Sequence, residues 1–140
     1  MSIEPFVIGT MEMTLESDLG NIERVVDETE LFLMPRIEDE DLRYRVVLLA
    51  TEAVTNAIEH GNRFDADKDV YYRLEVFVRS VEVVVQDQGP GFDPSTTEDP
   101  RESANLLREG GRGLLFMQSM ADDVRFEEGG RRVRLTFHGG

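Results

Sequence analysis

Residues 52–61, Glu52-Ala53-Val54-Thr55-Asn56-Ala57-Ile58-Glu59-His60-Gly61, read as the closing turns of a long helix that starts near Glu38. Glu52 and Asn56 are four apart, so they share a helical face and lie one turn from each other. Glu59 or His60 follows about a turn later. A carboxylate above a carboxamide on one face can hold a divalent cation and a reacting hydroxyl, because Asn offers a neutral oxygen to a hard cation and Glu can take a proton. The same spacing also fits a solvated polar stripe. Ala53, Val54, Ala57 and Ile58 argue for packing at this end of the helix, and a packed Glu and Asn need partners. Gly61 is a natural residue just past the helix end, and Glu38 to Asp41 place negative charge where the dipole favours it, at the start.

Upstream, residues 3–15 alternate loosely and carry β-branched side chains, which predicts an opening strand. Ser17 and Asp18 can cap a following helix. Leu19, Ile22, Val25, Val26, Thr29, Phe32 and Leu33 form its apolar face, and it ends before Pro35. Downstream, residues 70–79 and 81–87 alternate as two strands with a tight connection near Ser80. Residues 88–112 read as a long loop, a feature that compact domains keep mostly for function. Gly113 to Met120 predicts a short helix, and residues 123–128 and 131–137 a last hairpin around Gly129-Gly130. The order is β-α-α-β-β-loop-α-β-β. It predicts an α+β two-layer sandwich: a mixed, mostly antiparallel sheet with the long helices over one face.

Two glycine-rich segments stand beside the helix motif. Asp87-Gln88-Gly89-Pro90-Gly91-Phe92 directly follows a strand. Its glycines let backbone approach a ligand closely, and Asp87 is placed to accept a hydrogen bond from an exocyclic amine. A plain turn would use the same residues. Gly110-Gly111-Arg112-Gly113 precedes the short helix. Backbone amides entering a helix make an anion site, and Arg112 adds charge for a phosphate. A flexible loop is the competing reading. No Gly-x-x-x-x-Gly-Lys-Ser/Thr run exists and Lys68 is the one lysine, which excludes a P-loop.

Composition narrows the class. The 140 residues carry 29 acids against 15 bases, a net charge of −14, most of it in the first half. Such a surface repels nucleic-acid backbones and attracts basic proteins. It also serves solubility. With 40% hydrophobic residues the chain can bury one core, so a single domain over 1–140 is expected. No apolar run is long enough to span a membrane and no signal peptide is visible. The absence of Cys fits a reducing cytoplasm, and two histidines far apart in sequence make a His-rich zinc site improbable.

Helix motif, strand-end motif and loop–helix motif, in this order, resemble the GHKL ATPase superfamily, with its Bergerat-type ATP-binding fold. Within it, the chain looks most like the bacterial anti-sigma-factor serine kinases, from the opening strand to about Phe137. Glu52 to Gly61 is similar to their N box, Asp87 to Phe92 to the first glycine box, and Gly111 to Leu114 to the second. The resemblance implies ATP and Mg²⁺ as ligands. It implies Mg²⁺ on Asn56, Glu52 as general base toward a substrate serine, and Asp87 on the adenine amino group. Gly89, Gly91 and Phe92 would flank the adenine side. Gly111, Arg112 and Gly113 would belong to a lid over the phosphates, and His60 would lie near the nucleotide or simply cap the helix. Two positions depart from the pattern. Arg131 stands where a Thr is common in the last hairpin, and Gly110 where a Ser is common before the second box.

The implied function is a cytoplasmic, homodimeric protein-serine kinase. It would phosphorylate a STAS-type anti-sigma-factor antagonist and otherwise sequester a sigma factor. A switch kinase with another output, or a regulatory module that binds ATP and a STAS-type partner without phosphorylating it, shares most of these features. A histidine kinase needs a phosphoacceptor His on a preceding helical segment, and within this sequence no His precedes His60.

Overall fold

The computed structural model describes residues 6–91 and 119–139. Strand β1 (Val7–Glu16) opens the chain, followed by a short 3₁₀ turn and helix α1 (Ile22–Leu33). Helix α2 (Glu40–Asn56) comes next, then β2 (Asp69–Phe77), β3 (Ser80–Gln86), β4 (Asp123–Glu127) and β5 (Arg132–His138). The strands form one sheet in the order β1-β2-β3-β5-β4. Every pairing in it is antiparallel, so the expected mixed sheet is wholly antiparallel among the described residues. Of the predicted short helix, Ser119 and Met120 are helical and the remainder lies outside the described residues.

Alternation in β2 sets the layers. Val70, Tyr72, Leu74 and Val76 are buried, while their neighbours are half-buried on the other face. The buried set joins Val81, Val83, Val85, Leu135 and Phe137 from the sheet with Val25 and Leu33 of α1 and Leu42, Val46, Leu49, Ala53 and Val54 of α2. Two helices over one sheet face is the arrangement predicted from the sequence. Tyr72 carries a hydroxyl into this core, where it shares a 2.7 Å hydrogen bond with Thr29. The opposite sheet face is charged: Arg134 bridges Glu82 and Glu127, Arg132 pairs with Glu127 at 3.4 Å, and Arg73 with Glu75 at 3.4 Å. Alternating signs across adjacent strands keep that face compatible with water.

The helix starts follow capping chemistry. Asp18 accepts from the Gly20 amide at 2.8 Å, and Asp39 accepts from the Leu42 amide at 3.2 Å. Ser17, the other expected cap, instead turns inward and donates to the Lys68 carbonyl at 2.5 Å. The end of α2 differs from expectation. The helix widens into one π-helical turn over Ala57–Gly61, closed by the Asn62 amide on the Ala57 carbonyl at 2.8 Å. Arg63 and Phe64, with φ of 51° and 59°, take the left-handed conformation that reverses the chain. Gly61 is therefore not the left-handed stop residue; its lack of a side chain has another cause, described below. In the last hairpin Gly129 and Gly130 do adopt positive φ, 65° and 88°, as a tight turn requires.

Candidate functional site

The site is built where β2 begins, β3 ends and β5 begins, beneath the end of α2. Asp87, the residue after β3, is 2% exposed. Its backbone amide continues the sheet by donating to the Arg131 carbonyl at 2.9 Å. Its Oδ1 accepts from the Gly89 amide, also at 2.9 Å. A carboxylate offers about four acceptor positions. Burial of such a group is costly unless it is hydrogen-bonded, and it is kept in functional places more often than in ordinary cores.

Glycine at 61 and at 89 follows from the closeness of this packing. A Cβ on Gly61 would overlap the Asp87 carboxylate, and a Cβ on Gly89 would overlap the Gly61 carbonyl. The helix end and the strand end thus meet backbone to backbone around the Asp87 carboxylate. Gly91 has φ of 77°, and a Cβ there would overlap the Gly129 carbonyl, so the glycine segment lies on the β4–β5 turn. Beside it opens a cleft of about 560 Å³, lined by Gly61, Asn62, Arg63, Asp65, Lys68, Gln88, Gly89 and Pro90.

Asn62 ties the surroundings together and was not singled out from the sequence. It is 2% exposed. Its Nδ2 donates to Ser17 Oγ and to the Asp69 carbonyl, each at 2.9 Å, and its Oδ1 accepts from the Gln88 amide at 2.8 Å. Gln88 Oε1 in turn accepts from the Asp69 amide at 2.7 Å. Ends of β1, β2 and β3 are thereby joined at one carboxamide. Arg131 is a second such residue. Its Nε donates to the Gly89 carbonyl at 2.8 Å, Nη2 to the Pro90 carbonyl at 3.3 Å and Nη1 to the Glu128 carbonyl at 3.1 Å. Sequence reasoning flagged Arg131 only as a departure from a family pattern.

Glu52 and Asn56 are half-buried on α2, whereas Ala53, Val54, Ala57 and Ile58 are buried, which is the packed environment expected for them. Burial, with a smaller contribution from the Glu59 charge, raises the Glu52 carboxyl above the usual carboxylate range. Glu59 therefore lies close enough to Glu52 to act on it, and a raised carboxyl suits a general base. His60 is half-buried in the π turn. Phe92, Gly111, Arg112 and Gly113 lie outside the described residues. So the structure brings Gly61, Asp87, Gly89, Gly91 and Arg131 together and places Glu52 and Asn56 along the helix that leads to them.

Residues 15–137 match the histidine kinase-like ATPase domain. The chain belongs to that family. This histidine kinase-like ATPase domain is 30% identical to the serine-protein kinase RsbW of Bacillus subtilis (strain 168), over 95% of this chain and 79% of the relative. It is 29% identical to the RsbW of Bacillus licheniformis over the same shares. To the RsbW of Staphylococcus aureus (strain Newman) it is 31% identical over 64% of this chain and 61% of the relative. Membership makes ATP the ligand class, and the pocket can be tested against it. A buried carboxylate, backed by two glycines that admit no Cβ, fits the amino edge of a purine. Among the described residues no three His, Asp or Glu are grouped to hold a metal by themselves. A lone Asn56 carboxamide fits an ion completed by phosphate oxygens and water, the usual manner for Mg²⁺. Among these residues no helix is long and apolar enough to cross a membrane.

Proposed function

We propose that this domain is an ATP-dependent protein-serine kinase, that its substrate is a STAS-type anti-sigma-factor antagonist, and that it holds a sigma factor when not so engaged. The observation that carries the kinase reading is the pairing of a raised, half-buried Glu52 with Asn56 on the helix that ends against Asp87. The names of the relatives, serine-protein kinases, support the same reaction class.

In this reading Asp87 accepts the purine amino group, Gly89 and Gly91 let the base lie against backbone, and the Asn56 oxygen holds Mg²⁺. Bound Mg²⁺ supplies charge neutralisation on the phosphates. Glu52 takes the proton from the substrate serine as the serine oxygen bonds to the γ-phosphorus and the bond to the β-phosphate oxygen breaks, leaving ADP. Gly111, Arg112 and Gly113 supply lid donors to the phosphates, and His60 borders the nucleotide. Positioning and electrostatics do most of the work in such a transfer. The net charge of −14 favours a basic partner face, as a sigma factor would present, and disfavours nucleic acid. Two copies acting as a homodimer in the cytoplasm belong to the same proposal.

The test is phosphate transfer from γ-labelled ATP to a STAS-type protein, with calorimetry of ATP binding alongside. Glu52→Gln is expected to lose transfer by 10²-fold or more, on the order of the contribution of a general base, while still binding ATP. Asp87→Asn is expected to lose ATP binding. Undiminished transfer by Glu52→Gln would sink the kinase assignment. Intact binding by Asp87→Asn would remove the purine contact.

A further inference from the structure

Arg131 spends its guanidinium on the protein itself. All three of its nitrogens donate to backbone carbonyls: Nε to Gly89 at 2.8 Å, Nη2 to Pro90 at 3.3 Å and Nη1 to Glu128 at 3.1 Å. Its own carbonyl accepts the Asp87 amide at 2.9 Å. One residue therefore grips both ends of the Asp87–Gly91 segment, by backbone at the buried carboxylate and by side chain at the glycines. Its Cγ also lies 3.4 Å from where a Gly91 Cβ would be, so the stem packs under the same turn. The turn it is anchored in is a poor support alone. Glu128, Gly129 and Gly130 all have positive φ, and Glu128 pays for that with a side chain. Glycines on either side of Pro90 leave this segment's backbone more conformational freedom than other residues would.

We infer that Arg131 is a positioning residue that sets the glycine segment in its ligand-binding shape before the nucleotide arrives. This rests on the nucleotide reading above and adds to it a determinant of affinity for the purine end of ATP. A planar fork of donors matches three carbonyls at fixed angles, which a lysine cannot do. Because the guanidinium bonds Gly89 and Pro90, the segment assigned to the purine in the reading above, and not the helix that carries Glu52, its loss acts on binding rather than on the transfer step.

Two measurements on Arg131→Ala test this, with Arg131→Lys as the milder variant should the alanine protein fold poorly. The first is amide hydrogen exchange in the nucleotide-free protein. The Gln88 and Gly89 amides, bonded to Asn62 and Asp87, are expected to exchange about tenfold faster in Arg131→Ala, with core amides of β2 and β3 unchanged. The second is steady-state transfer. KM for ATP is expected to rise about tenfold in Arg131→Ala, the change of roughly one lost charge-assisted hydrogen bond, and by less in Arg131→Lys, with kcat within about twofold of wild type. A merely structural residue would lower thermal stability and leave KM alone. Unchanged exchange at Gln88 and Gly89 overturns the inference. So does faster exchange with an unaltered KM. If the wild type binds no ATP, the nucleotide reading fails, and the exchange contrast still decides whether Arg131 sets the loop.

Discussion

Replacing Asn62 by Ala removes the carboxamide that joins three strand ends, and its cost can be worked from the contacts. Three hydrogen bonds vanish, to Ser17 Oγ, the Asp69 carbonyl and the Gln88 amide. A net bond is worth about 1 kcal/mol, and a buried donor or acceptor left without a partner costs about 1–3 kcal/mol. Ser17 keeps its bond to the Lys68 carbonyl, so the Gln88 amide and the Asp69 carbonyl carry most of the loss. A total of about 3 kcal/mol follows, a large share of the roughly 5–15 kcal/mol that holds such a domain. For a chain of this size that is a fall of about 10 °C in Tm. Urea denaturation followed by far-UV circular dichroism measures it. Asn62→Asp sharpens the test. An introduced carboxylate still accepts from Gln88 but has nothing to donate to the Asp69 carbonyl, and its charge is buried. Its folded pKa would rise above the unfolded value, so this variant should gain stability relative to Asn62→Ala as pH falls. A loss under about 1 kcal/mol in Asn62→Ala, or wild-type stability of Asn62→Asp at pH 7, would refute the assignment of this residue as the junction.

Two further outcomes are expected. As the proposed base Glu52 must be ionised to take the serine proton, and burial and then Glu59 raise its carboxyl, so on this proposal activity should fall on acidification at a higher pH than an ordinary glutamate would set. Glu59→Gln removes the smaller of the two causes and should move that acid limb to lower pH; a pH–rate profile that does not move would show that Glu59 does not act on Glu52. Tyr72→Phe should cost about 1–2 kcal/mol by leaving the Thr29 hydroxyl without its 2.7 Å partner, and adding Thr29→Val should recover part of it. Strictly additive losses in urea denaturation would mean that the pair is not coupled.

The parts of this fold that could be read from the sequence are those whose cause is local. Alternation in residues 70–76 names the buried face of β2 because strand geometry has period two. The acidic run Glu38 to Asp41 and the Gly129-Gly130 turn announce a helix start and a hairpin by chemistry contained within a few residues. Glu52 and Asn56 were legible as a pair because four residues make one helical turn. What escaped was set by contacts between distant segments. Gly61 looks like an ordinary helix stop, yet the residues that take left-handed backbone are Arg63 and Phe64, and glycine is needed at 61 because Asp87 occupies the space of its Cβ. Asn62 looks like a loop residue, because its partners at Ser17 and Gln88 come from other strands. Arg131 looks like a lost hydroxyl, although its side chain is spent on the glycine segment that the motif defines. A motif thus names the groups proposed to meet the ligand, while Asn62 and Arg131, which bond the segment that carries them, belong to no motif of their own. The stretch from Gly61 to Asn62 belongs to both classes. It ends the helix that bears Glu52 and Asn56, and it packs on and bonds the segment that bears Asp87. The π turn at Ala57–Gly61 lies between those two segments, so any shift of that helix end would move them relative to one another.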